Sequence, residues 1–548
     1  MKASEKIKVL LLDDEYLIRM SVAARLRKTE YEIVGVGTPE EAVAALKKDR
    51  FQAIITDVMM GAVDGFMFRD IVRGMDREIP MIFFTSMMND EGNAFLYRVL
   101  EDSYSCYLPK NAPTEALVKR LDHSVRAYRA EMRARLLQAE VEKTNHLASF
   151  VQTSMLPPWA QVRSGFYHGV YWKPFSQVSG DLYECISIGK DASLLVYGDI
   201  SGHGVSASLA MTAVQSYLKR FLSVTDREAR DVAQVTAQID RFILENLAGV
   251  AYMSGLVAYF NSAERRLRYC NAGSPDIKGF APDGRLLSLN PDKRGVLPMG
   301  MMPGMAVSES DVVDITYEDG TVFFACSDGV TDLTADEQGE ELLPEELLNR
   351  IVGECVKSSV VERAIADCTI PHKVMAMLGD FGYVHSQDDI SMIVFGVPRP
   401  REDALLVEVP MERARIDAAA HEAGEYLLAH PGYESAAPRV ELLIDEFFMN
   451  LHDHGFEDVT RHKEFALLKV ILRGETVELW VAHRGRSWDI SEHKVSADVA
   501  LDQANAKMDD HGRGVPIIRK LTTGIQSRSI AGLNVNVFFV PAKEEGVG

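Results

Sequence analysis

Short apolar runs alternate with segments of helical periodicity along residues 1–125. Near-continuous apolar runs of this length are typical of strands that are buried on both faces of a sheet. The predicted strands are Ile7–Leu12, Tyr31–Val36, Ala53–Thr56, Met81–Phe84 and Ser105–Leu108. The predicted helices are Tyr16–Lys28, Pro39–Lys48, Gly65–Gly74, Asn89–Leu100 and a segment from Thr114 onward. This alternation predicts a parallel sheet covered by helices on both faces, with a site at the carboxyl ends of its strands.

Those strand ends carry the residue types of a phosphoryl-transfer site. Acids occur there together with a hydroxyl and a lysine, and the residues are Asp13, Asp14, Asp57, Thr85 and Lys110. Clustered acids hold Mg²⁺, a carboxylate attacks phosphorus, and a hydroxyl and a lysine neutralise the transferred group. The pattern therefore favours a domain that receives a phosphoryl group.

Residues 1–125 closely resemble the receiver domain of bacterial response regulators, which has a flavodoxin-like fold. The resemblance implies that Asp57 accepts the phosphoryl group from a cognate sensor histidine kinase. It also implies that Asp13, Asp14 and Asp57 bind Mg²⁺. The remaining implied site residues are Thr85 and Lys110, which contact the phosphate, and Tyr107, the switch aromatic.

A long helical segment follows from Thr114, without glycine and without proline before Pro157. Its apolar residues recur near heptad spacing, although Arg135 and Glu142 interrupt the seam. Two interpretations stay open for this connector, residues 126–150: a parallel coiled-coil dimer, or a helix packed on a neighbouring domain. In either case the hypothesis is that the helix carries a rearrangement of the receiver to the next domain.

Four aspartates of residues 151–398 lie where β-rich runs meet turns, and they are Asp181, Asp199, Asp328 and Asp388. A carboxylate at a strand end, followed by glycines that let the backbone approach a ligand, suits a hard divalent cation. Any one of them alone is more often an ordinary turn residue. Four such motifs in one region, none with a lysine or an arginine, favour a shared cation site.

The motifs VSGD, GDISGHG, CSDGVTD and QDDIS, with the lead-in QTSMLP, occur in an order that resembles the PPM (PP2C) superfamily of metal-dependent Ser/Thr phosphatases. The likeness is to its bacterial stress-response and sporulation branch. It implies an αββα sandwich of two antiparallel sheets, with two Mn²⁺ or Mg²⁺ ions at one end that polarise a water and clamp the phosphate. The QTSMLP segment would belong to a regulatory element that sets the metal site.

The resemblance also implies the metal ligands. Asp181 and Asp199 would bridge the two ions, and the backbone carbonyl of Ile200 would be a further ligand. Asp328 and Asp388 would complete the ligands of the second ion. Of the neighbouring acids Asp388 and Asp389, Asp389 is the less favoured ligand. His203 is open to two interpretations, an acid for the leaving oxygen or a turn residue, and the second is favoured.

A new domain, residues 401–548, is expected after Pro398-Arg399-Pro400. Glu446 and Asn450 share one face of a predicted helix, where the glutamate could activate a hydroxyl and the asparagine could bind Mg²⁺. Asp489 follows a predicted strand, and Gly512 and Gly514 precede a helix whose N-terminus suits phosphate.

In this order the motifs resemble the GHKL ATPase fold of anti-sigma-factor serine kinases, an α/β sandwich that binds ATP and Mg²⁺. His483 stands where that family has its adenine-reading aspartate. Two interpretations stay open. In one, the domain is a serine kinase that opposes the phosphatase; in the other, it only binds a sigma factor or its antagonist.

The predicted fold class is a multidomain chain of α/β and α+β architecture. Its composition further indicates which partners and which compartment to expect. A formal net charge of −21 over 548 residues argues against binding to nucleic acid or to anionic membrane through bulk charge. The six cysteines form no CxxC pair, which favours a reducing compartment, and no secretory or membrane-spanning segment is evident. The expected location is the cytoplasm.

These patterns together predict a phosphatase controlled by its receiver and acting on a phosphorylated anti-sigma-factor antagonist in a partner-switching pathway. The expected partners are a sensor kinase, the antagonist, a sigma factor and a second copy of the chain. The alternative is a scaffold or anti-sigma factor whose C-terminal domain sequesters its partner without kinase activity.

Overall fold

The computed structural model describes residues 6–60, 63–75, 78–86, 97–99, 101–163, 165–202, 204–222, 231–361, 367–398, 404–456, 464–487 and 514–543. The predicted helix Asn89–Leu100 lies for the most part outside these residues, as do His203, Asp489 and Gly512. The chain divides into two compact units, Met1–Thr144 and Asn145–Gly548. Each unit is described by itself below.

The first unit holds a parallel sheet whose strand order is β2-β1-β3-β4-β5. Its strands are β1 (Ile7–Leu12), β2 (Tyr31–Val36), β3 (Ala53–Thr56), β4 (Met81–Thr85) and β5 (Ser105–Pro109). Its helices are α1 (Tyr16–Leu26), α2 (Pro39–Lys48) and α3 (Gly65–Arg73), and α4 (Thr114–Met155) begins in it. The predicted flavodoxin-like order is confirmed.

Alternation along the central strand explains why this sheet is covered on both faces. Leu11 and Ile55 belong to one apolar cluster, whereas Leu10 and Ile54 belong to another on the opposite face. Successive side chains of a strand point to opposite faces, so a continuous apolar run needs two layers of helices. Helix α2 begins at a side-chain cap, where Thr38 accepts a hydrogen bond from the amide of Glu41.

The second unit contains two antiparallel sheets packed face to face. One has the order β14-β11-β10-β9-β8 and the other has the order β13-β12-β15-β16-β7-β6. The strands are β6 (Ala160–Arg163), β7 (Phe166–Lys173), β8 (Asp181–Ile188), β9 (Ala192–Ile200), β10 (Met253–Asn261), β11 (Arg266–Ala272), β12 (Lys278–Phe280), β13 (Leu286–Leu287), β14 (Val313–Thr316), β15 (Val322–Cys326) and β16 (Ile390–Gly396). Aromatic rings fill the space between the sheets, for example Phe260, Phe323 and Phe395.

Helices cover the outer faces of both sheets, as the predicted αββα sandwich requires. They are α5 (Val205–Leu222), α6 (Val232–Asn246), α7 (Asp328–Thr331), α8 (Glu345–Val361) and α9 (Ile370–Asp380). Apolar residues of α5 and α6 pack with β8, β9 and β10 in one cluster, and those of α8 and α9 pack with β15 and β16 in another. The sandwich architecture is thereby confirmed.

A further antiparallel sheet, of order β17-β18-β19-β21-β20, forms the C-terminal part of the unit. Its strands are β17 (Ala404–Pro410), β18 (Phe465–Arg473), β19 (Thr476–His483), β20 (Gly524–Ile530) and β21 (Leu533–Pro541). Helices α10 (Arg413–Leu428), α11 (Ala437–Asn450) and α12 (Gly514–Leu521) pack on one face, and a π-helical turn, Leu451–Gly455, follows α11. The GHKL-type assignment stays a prediction.

The other face of this C-terminal sheet packs on the two-sheet sandwich. Phe465, Leu467 and Val535 belong to the same apolar cluster as Trp159 and the residues of α8 and α9. The rings of Trp159 and Phe465 stack with centroids 5.4 Å apart. The sheet is therefore covered on both faces. Among the described helices, none combines the length and the apolar character that crossing a bilayer requires.

Candidate functional site

The carboxyl ends of β1 and β3 bring three acids together in the first unit. Oxygens of Asp13, Asp14 and Asp57 lie within 4.8 Å of one another. Nζ of Lys110 lies 2.8 Å from Oδ2 of Asp57 and 2.8 Å from Oδ2 of Asp13. Thr85 is buried at the end of β4, where its carbonyl accepts a hydrogen bond from the amide of Lys110. These predicted residues therefore share one sheet edge.

Electrostatics in this cluster follow from burial and from the lysine. Burial raises the pKa of Asp13, although hydrogen bonds from Lys110 and from an amide work against the shift. Burial also acts against the charge of Lys110, but its hydrogen bonds to Asp13 and Asp57 outweigh this effect and raise its pKa. Tyr107, the predicted switch aromatic, is 43% exposed on β5. Three oxygens at one edge suit a Mg²⁺ ion.

Strand register brings the first two acids of the sandwich together. Asp181 opens β8 and Asp199 lies near the end of β9, and the two are direct partners across the antiparallel pair. Side chains of such partners have Cβ atoms about 4.5–5.5 Å apart. Neighbouring carboxylates of like charge in a buried place repel each other.

Close backbone approaches join the other two motifs to this pair. A Cβ added to Gly329, next to Asp328, would lie 1.9 Å from the carbonyl oxygen of Asp389. The carboxylate of Asp389 in turn accepts hydrogen bonds from the amide of Gly180 (2.7 Å) and from that of Phe175 (2.6 Å). The four predicted motifs therefore meet at one end of the sandwich.

The same contacts separate the roles of the two neighbouring acids Asp388 and Asp389. Both oxygens of buried Asp389 are engaged by backbone amides, so this residue holds the loop before Asp181. Asp388 is half-buried, and one of its oxygens accepts a hydrogen bond from the amide of Asp389 (2.8 Å). Of the two, Asp388 has the oxygen that remains available to a ligand.

Burial and mutual repulsion disfavour the charged forms of the central pair. Burial, with the charge of Asp199 as the next cause, raises the pKa of Asp181 well above its ordinary value. Burial, together with the charges of Asp328 and Asp388, raises the pKa of Asp199 to about 8. A carboxylate pair of this kind needs positive charge nearby to stay ionised at neutral pH.

Several carboxylate oxygens of Asp181 and Asp199 have the surroundings of ligands for divalent cations. Within the described residues, both oxygens of Asp181 and Oδ1 of Asp199 are buried and make no hydrogen bond of normal geometry, although the Ser391 hydroxyl lies near enough to Asp181 to act against the rise of its pKa. A Cβ on Gly180 would lie 2.7 Å from the carbonyl oxygen of Ile200 and 3.0 Å from Oδ1 of Asp199, so a side chain at this position would fill the space beside both atoms. Among the described residues, the acids of the sandwich do not form a group of three within 4.8 Å, unlike those of the first unit. Two cations some 3.5–4 Å apart need a wider set of ligands than one cation does.

The end of α4 is fastened to this site. The amide of Gln152, only 1% exposed, donates from Nε2 to the carbonyl of Ser179 (2.5 Å) and accepts at Oε1 from the amide of Ser179 (3.0 Å). Ser179 stands two residues before Asp181. The last turn of a long helix therefore holds the backbone that positions a predicted metal ligand.

Two residues of α5 that our sequence reasoning missed complete this attachment. Gln215 and Lys219 both donate to the carbonyl of Met155 (3.0 and 2.6 Å), and Gln215 also donates to the buried carboxylate of Glu184 (3.0 Å). Their spacing of four residues, which places them on one face of α5, was the available signal. The role of Glu184 became visible only with the tertiary structure.

The predicted nucleotide residues of the C-terminal domain are partly described. Asn450 donates from its amide nitrogen to the carbonyl of Glu446 (2.6 Å), which leaves its amide oxygen available. His483 is buried and hydrogen-bonded to Asn536 (3.1 Å), and burial lowers its pKa to about 4. The histidine is therefore neutral and supplies no carboxylate for adenine. Gly514 begins α12, whereas Asp489 and Gly512 lie outside the described residues.

The chain thus combines a parallel sheet that has an acid cluster at its edge with a two-sheet sandwich that has an acid pair at one end. Two family models match these two parts. Residues 9–122 match "Response regulator receiver domain", and residues 189–398 match "Stage II sporulation protein E (SpoIIE)".

Individual relatives match parts of the chain. A probable transcriptional regulator ycf27 of Pyropia yezoensis is 31% identical over 84 residues, which is 15% of this chain and 34% of the relative. The chain thus spans about a third of the length of that relative.

Solved structures align with parts of the chain. The RsbU and RsbW domains of Rv1364c from Mycobacterium tuberculosis align at 17% identity and a TM-score of 0.36, over 69% of this chain and 95% of theirs. The PP2C domain with a regulatory fragment of SpoIIE from Bacillus subtilis aligns at 14% identity and a TM-score of 0.34, over 43% and 64%. These identities and TM-scores are too low to support a conclusion about function.

Proposed function

We propose that this chain is a metal-dependent protein serine/threonine phosphatase whose activity is controlled by its receiver domain. The observation that carries the proposal is the pair of buried Asp181 and half-buried Asp199 at the point where four acidic motifs meet: within the described residues, both oxygens of Asp181 and Oδ1 of Asp199 are buried and make no hydrogen bond of normal geometry. Desolvated carboxylates without partners are costly unless cations neutralise them.

The residues that would hold two Mn²⁺ or Mg²⁺ ions are Asp181, Asp199, Asp328 and Asp388, with the backbone carbonyl of Ile200. When bound, such ions supply an activated water and neutralise the charge of the phosphate. The chain's own contribution is to orient these acids: β-sheet register fixes Asp181 against Asp199, and Asp389 holds the loop before them.

Control by the receiver is proposed to run through the end of α4. Asp57 would accept a phosphoryl group from a sensor histidine kinase, with Mg²⁺ at Asp13 and Asp14 and with Lys110 and Thr85 on the phosphate. Gln152 at the end of α4 binds the backbone beside Asp181. A shift of this helix end would therefore alter a predicted metal ligand.

The proposed substrate is a phosphorylated anti-sigma-factor antagonist, and the proposed pathway is partner switching with a sigma factor downstream. Pairing of two copies through α4 is supported by large apolar side chains that α4 leaves exposed: Leu136, Leu137, Val141 and Leu147. Cytoplasmic location is part of the same proposal.

The alternative, in which the C-terminal domain binds a partner without kinase activity, is favoured by the neutral, buried His483. A neutral histidine stands at the position where the resemblance implies a carboxylate that binds adenine, and this favours a domain that binds its partner without transferring phosphate. Titration of the full chain with a fluorescent ATP analogue tests this alternative. Saturable binding at micromolar analogue would overturn it and would restore the kinase interpretation.

The phosphatase proposal is tested with the full chain, Mn²⁺ and para-nitrophenyl phosphate. We expect hydrolysis in the wild type and a loss of at least about a hundredfold in Asp328→Asn, because a metal ligand contributes several kcal/mol of charge stabilisation. Asp332→Asn, in the same motif but exposed, is the matched control and should retain activity. Equal rates in Asp328→Asn and the wild type would refute the assignment.

Control by the receiver is tested with beryllofluoride, which mimics the phosphoryl group. We expect the phosphatase rate of the wild type to change by about fivefold or more, the range of an ordinary allosteric coupling. Asp57→Asn should show no change. An equal response in both proteins would exclude Asp57 as the control point.

A further inference from the structure

Two segments that pair through their backbones, next to the strand partner of Asp199, expose large apolar side chains. The side chains are Val250 (69% exposed), Tyr252 (40%), Leu297 (51%), Met301 (46%) and Met302 (53%), and we call them the methionine surface. Large apolar side chains that are exposed side by side mark sites of protein interaction more often than scattered ones do. Methionine suits such a site because its flexible, polarizable side chain adapts to different partners.

Backbone contacts hold the two segments of this surface together. Met253 and Met299 exchange two hydrogen bonds, each 2.8 Å long. Gly300 donates its amide to buried Asp240 (2.7 Å), and a Cβ added to Gly300 would lie 3.7 Å from the Cα of Tyr252. The surface is therefore built into the fold rather than formed by a loose loop.

The same strand pairing places the surface beside the site. Strand β10 pairs with β9, so that Ser254 is the partner of Asp199. Just beyond, Ser201 donates its amide to the carbonyl of Tyr252 (2.8 Å), and Tyr252 donates its amide to Oγ of Ser201 (3.0 Å). Two residues along a strand span about 7 Å. A substrate whose phosphate reaches Asp199 thus has its neighbouring residues within reach of Tyr252.

Charge explains why apolar contact is needed here. Residues 247–255 and 295–308 contain no Asp, Glu, Lys, Arg or His, whereas the chain as a whole has a formal net charge of −21. A phosphorylated substrate is itself negative, so the overall field does not attract it. None of the four acidic motifs contains a lysine or an arginine to bind the phosphate. The uncharged composition of the two segments therefore favours apolar contacts with the protein part of the substrate.

We infer that the methionine surface binds apolar side chains that flank the phosphorylated serine or threonine of the protein substrate. This inference rests on the proposed phosphatase function and adds the kind of residue that the substrate presents next to its phosphate. The surface would determine which phosphoproteins are hydrolysed efficiently, whereas the acids perform the hydrolysis of any accessible phosphoester.

The test compares substrates that differ only beside the phosphate. The probes are two phosphoserine peptides of equal length, one with leucine and valine on both sides of the phosphoserine and one with serine and asparagine there, together with para-nitrophenyl phosphate. The full chain is assayed as wild type and as Met301→Gln/Met302→Gln, which removes apolar surface at nearly constant size and charge. The matched control is Leu286→Gln/Leu342→Gln, since these leucines are 46% and 57% exposed elsewhere.

We expect the wild type and the control to hydrolyse the apolar-flanked peptide with a kcat/KM about tenfold above that of the polar-flanked peptide, mainly through KM. The methionine double variant should lose this preference and should hydrolyse para-nitrophenyl phosphate at the wild-type rate. A wild type without preference, or a double variant that keeps it, would overturn the inference while leaving the phosphatase function in place. Absence of hydrolysis of every probe by the wild type would overturn the phosphatase function itself, and the inference with it.

Discussion

The attachment of α4 to the metal-site loop makes a quantitative prediction for Gln152→Ala. Within the described part of the chain, the side chain of Gln152 is the hydrogen-bond partner of two backbone groups of Ser179, the carbonyl (2.5 Å) and the amide (3.0 Å). Both residues are buried, so truncation to alanine removes a donor and an acceptor without opening a wide path for water. Two polar backbone groups are then left without partners beside Asp181.

The magnitude follows from the cost of unsatisfied buried groups. Each costs about 1–3 kcal/mol, so the two together cost at least about 2 kcal/mol. The loop can avoid this cost by moving, and movement displaces Asp181 two residues on. A loss of about 2 kcal/mol in the population with a correctly placed site corresponds to about a thirtyfold lower kcat/KM. Because the defect lies in the position of a metal ligand, a higher Mn²⁺ concentration should restore part of the rate.

The assay is hydrolysis of para-nitrophenyl phosphate by the full chain over a range of Mn²⁺ concentrations. Thr153→Ala is the matched control, because Thr153 is exposed on the same helical turn and its hydroxyl donates to the carbonyls of Ser149 and Phe150 within α4. Urea unfolding is measured in parallel to separate a local defect from global unfolding. Wild-type activity and wild-type Mn²⁺ dependence in Gln152→Ala would refute the idea that the helix end positions the site.

Two further predictions concern the C-terminal domain. Phe465→Ala should lower the free energy of unfolding of the second unit by about 3–5 kcal/mol in urea, because it leaves a cavity where the buried ring stacks on Trp159. The control Leu442→Ala, at an exposed position, should change it by less than about 0.5 kcal/mol. Equal urea midpoints for the two variants would show that the packing of the C-terminal sheet on the sandwich contributes little to stability. Burial lowers the pKa of His483 from 6.5 to about 4, so protonation of this histidine favours the unfolded chain. The contribution of neutral His483 to the free energy of unfolding is fully present above about pH 6.5. It decreases as the pH falls toward 4, by up to about 3 kcal/mol. His483→Asn should flatten the dependence of the urea midpoint on pH over that interval, and an unchanged slope would exclude His483 as its source.

Local patterns were sufficient for much of the architecture. In the receiver, continuous apolar runs determined the strands, because a strand covered on both faces has no polar side, and β1, β2 and β3 begin and end where the runs do. Helices are less sharply bounded, and α1 ends at Leu26, two residues before its predicted end, since fraying of the last turn leaves little trace in the pattern. The convergence of Asp13 and Asp57 also follows from sequence, because the ends of adjacent parallel strands meet at one edge.

In the sandwich, the sequence alone is not sufficient to predict which oxygens can bind a ligand. Its four acidic motifs are visible as residues, but which oxygens stay free depends on partners more than 200 residues away. Asp389 is engaged by the amides of Phe175 and Gly180, and no local rule distinguishes it from Asp388. The bonds of Gln152 to Ser179 depend in the same way on how α4 ends against the folded sheet.

The amino-acid sequence by itself determined the order of the domains' elements, the two acidic clusters and their chemistry, because strand and turn preferences act over a few residues. Only the tertiary structure decided that Gly300 lies close to Tyr252, two residues from the partner of Asp199, and that Phe465 stacks on Trp159. Such contacts join segments that are distant along the chain, and their energy depends on packing rather than on local preference. The residues that we propose to select a substrate and to couple the domains are therefore brought into place only by the folded chain.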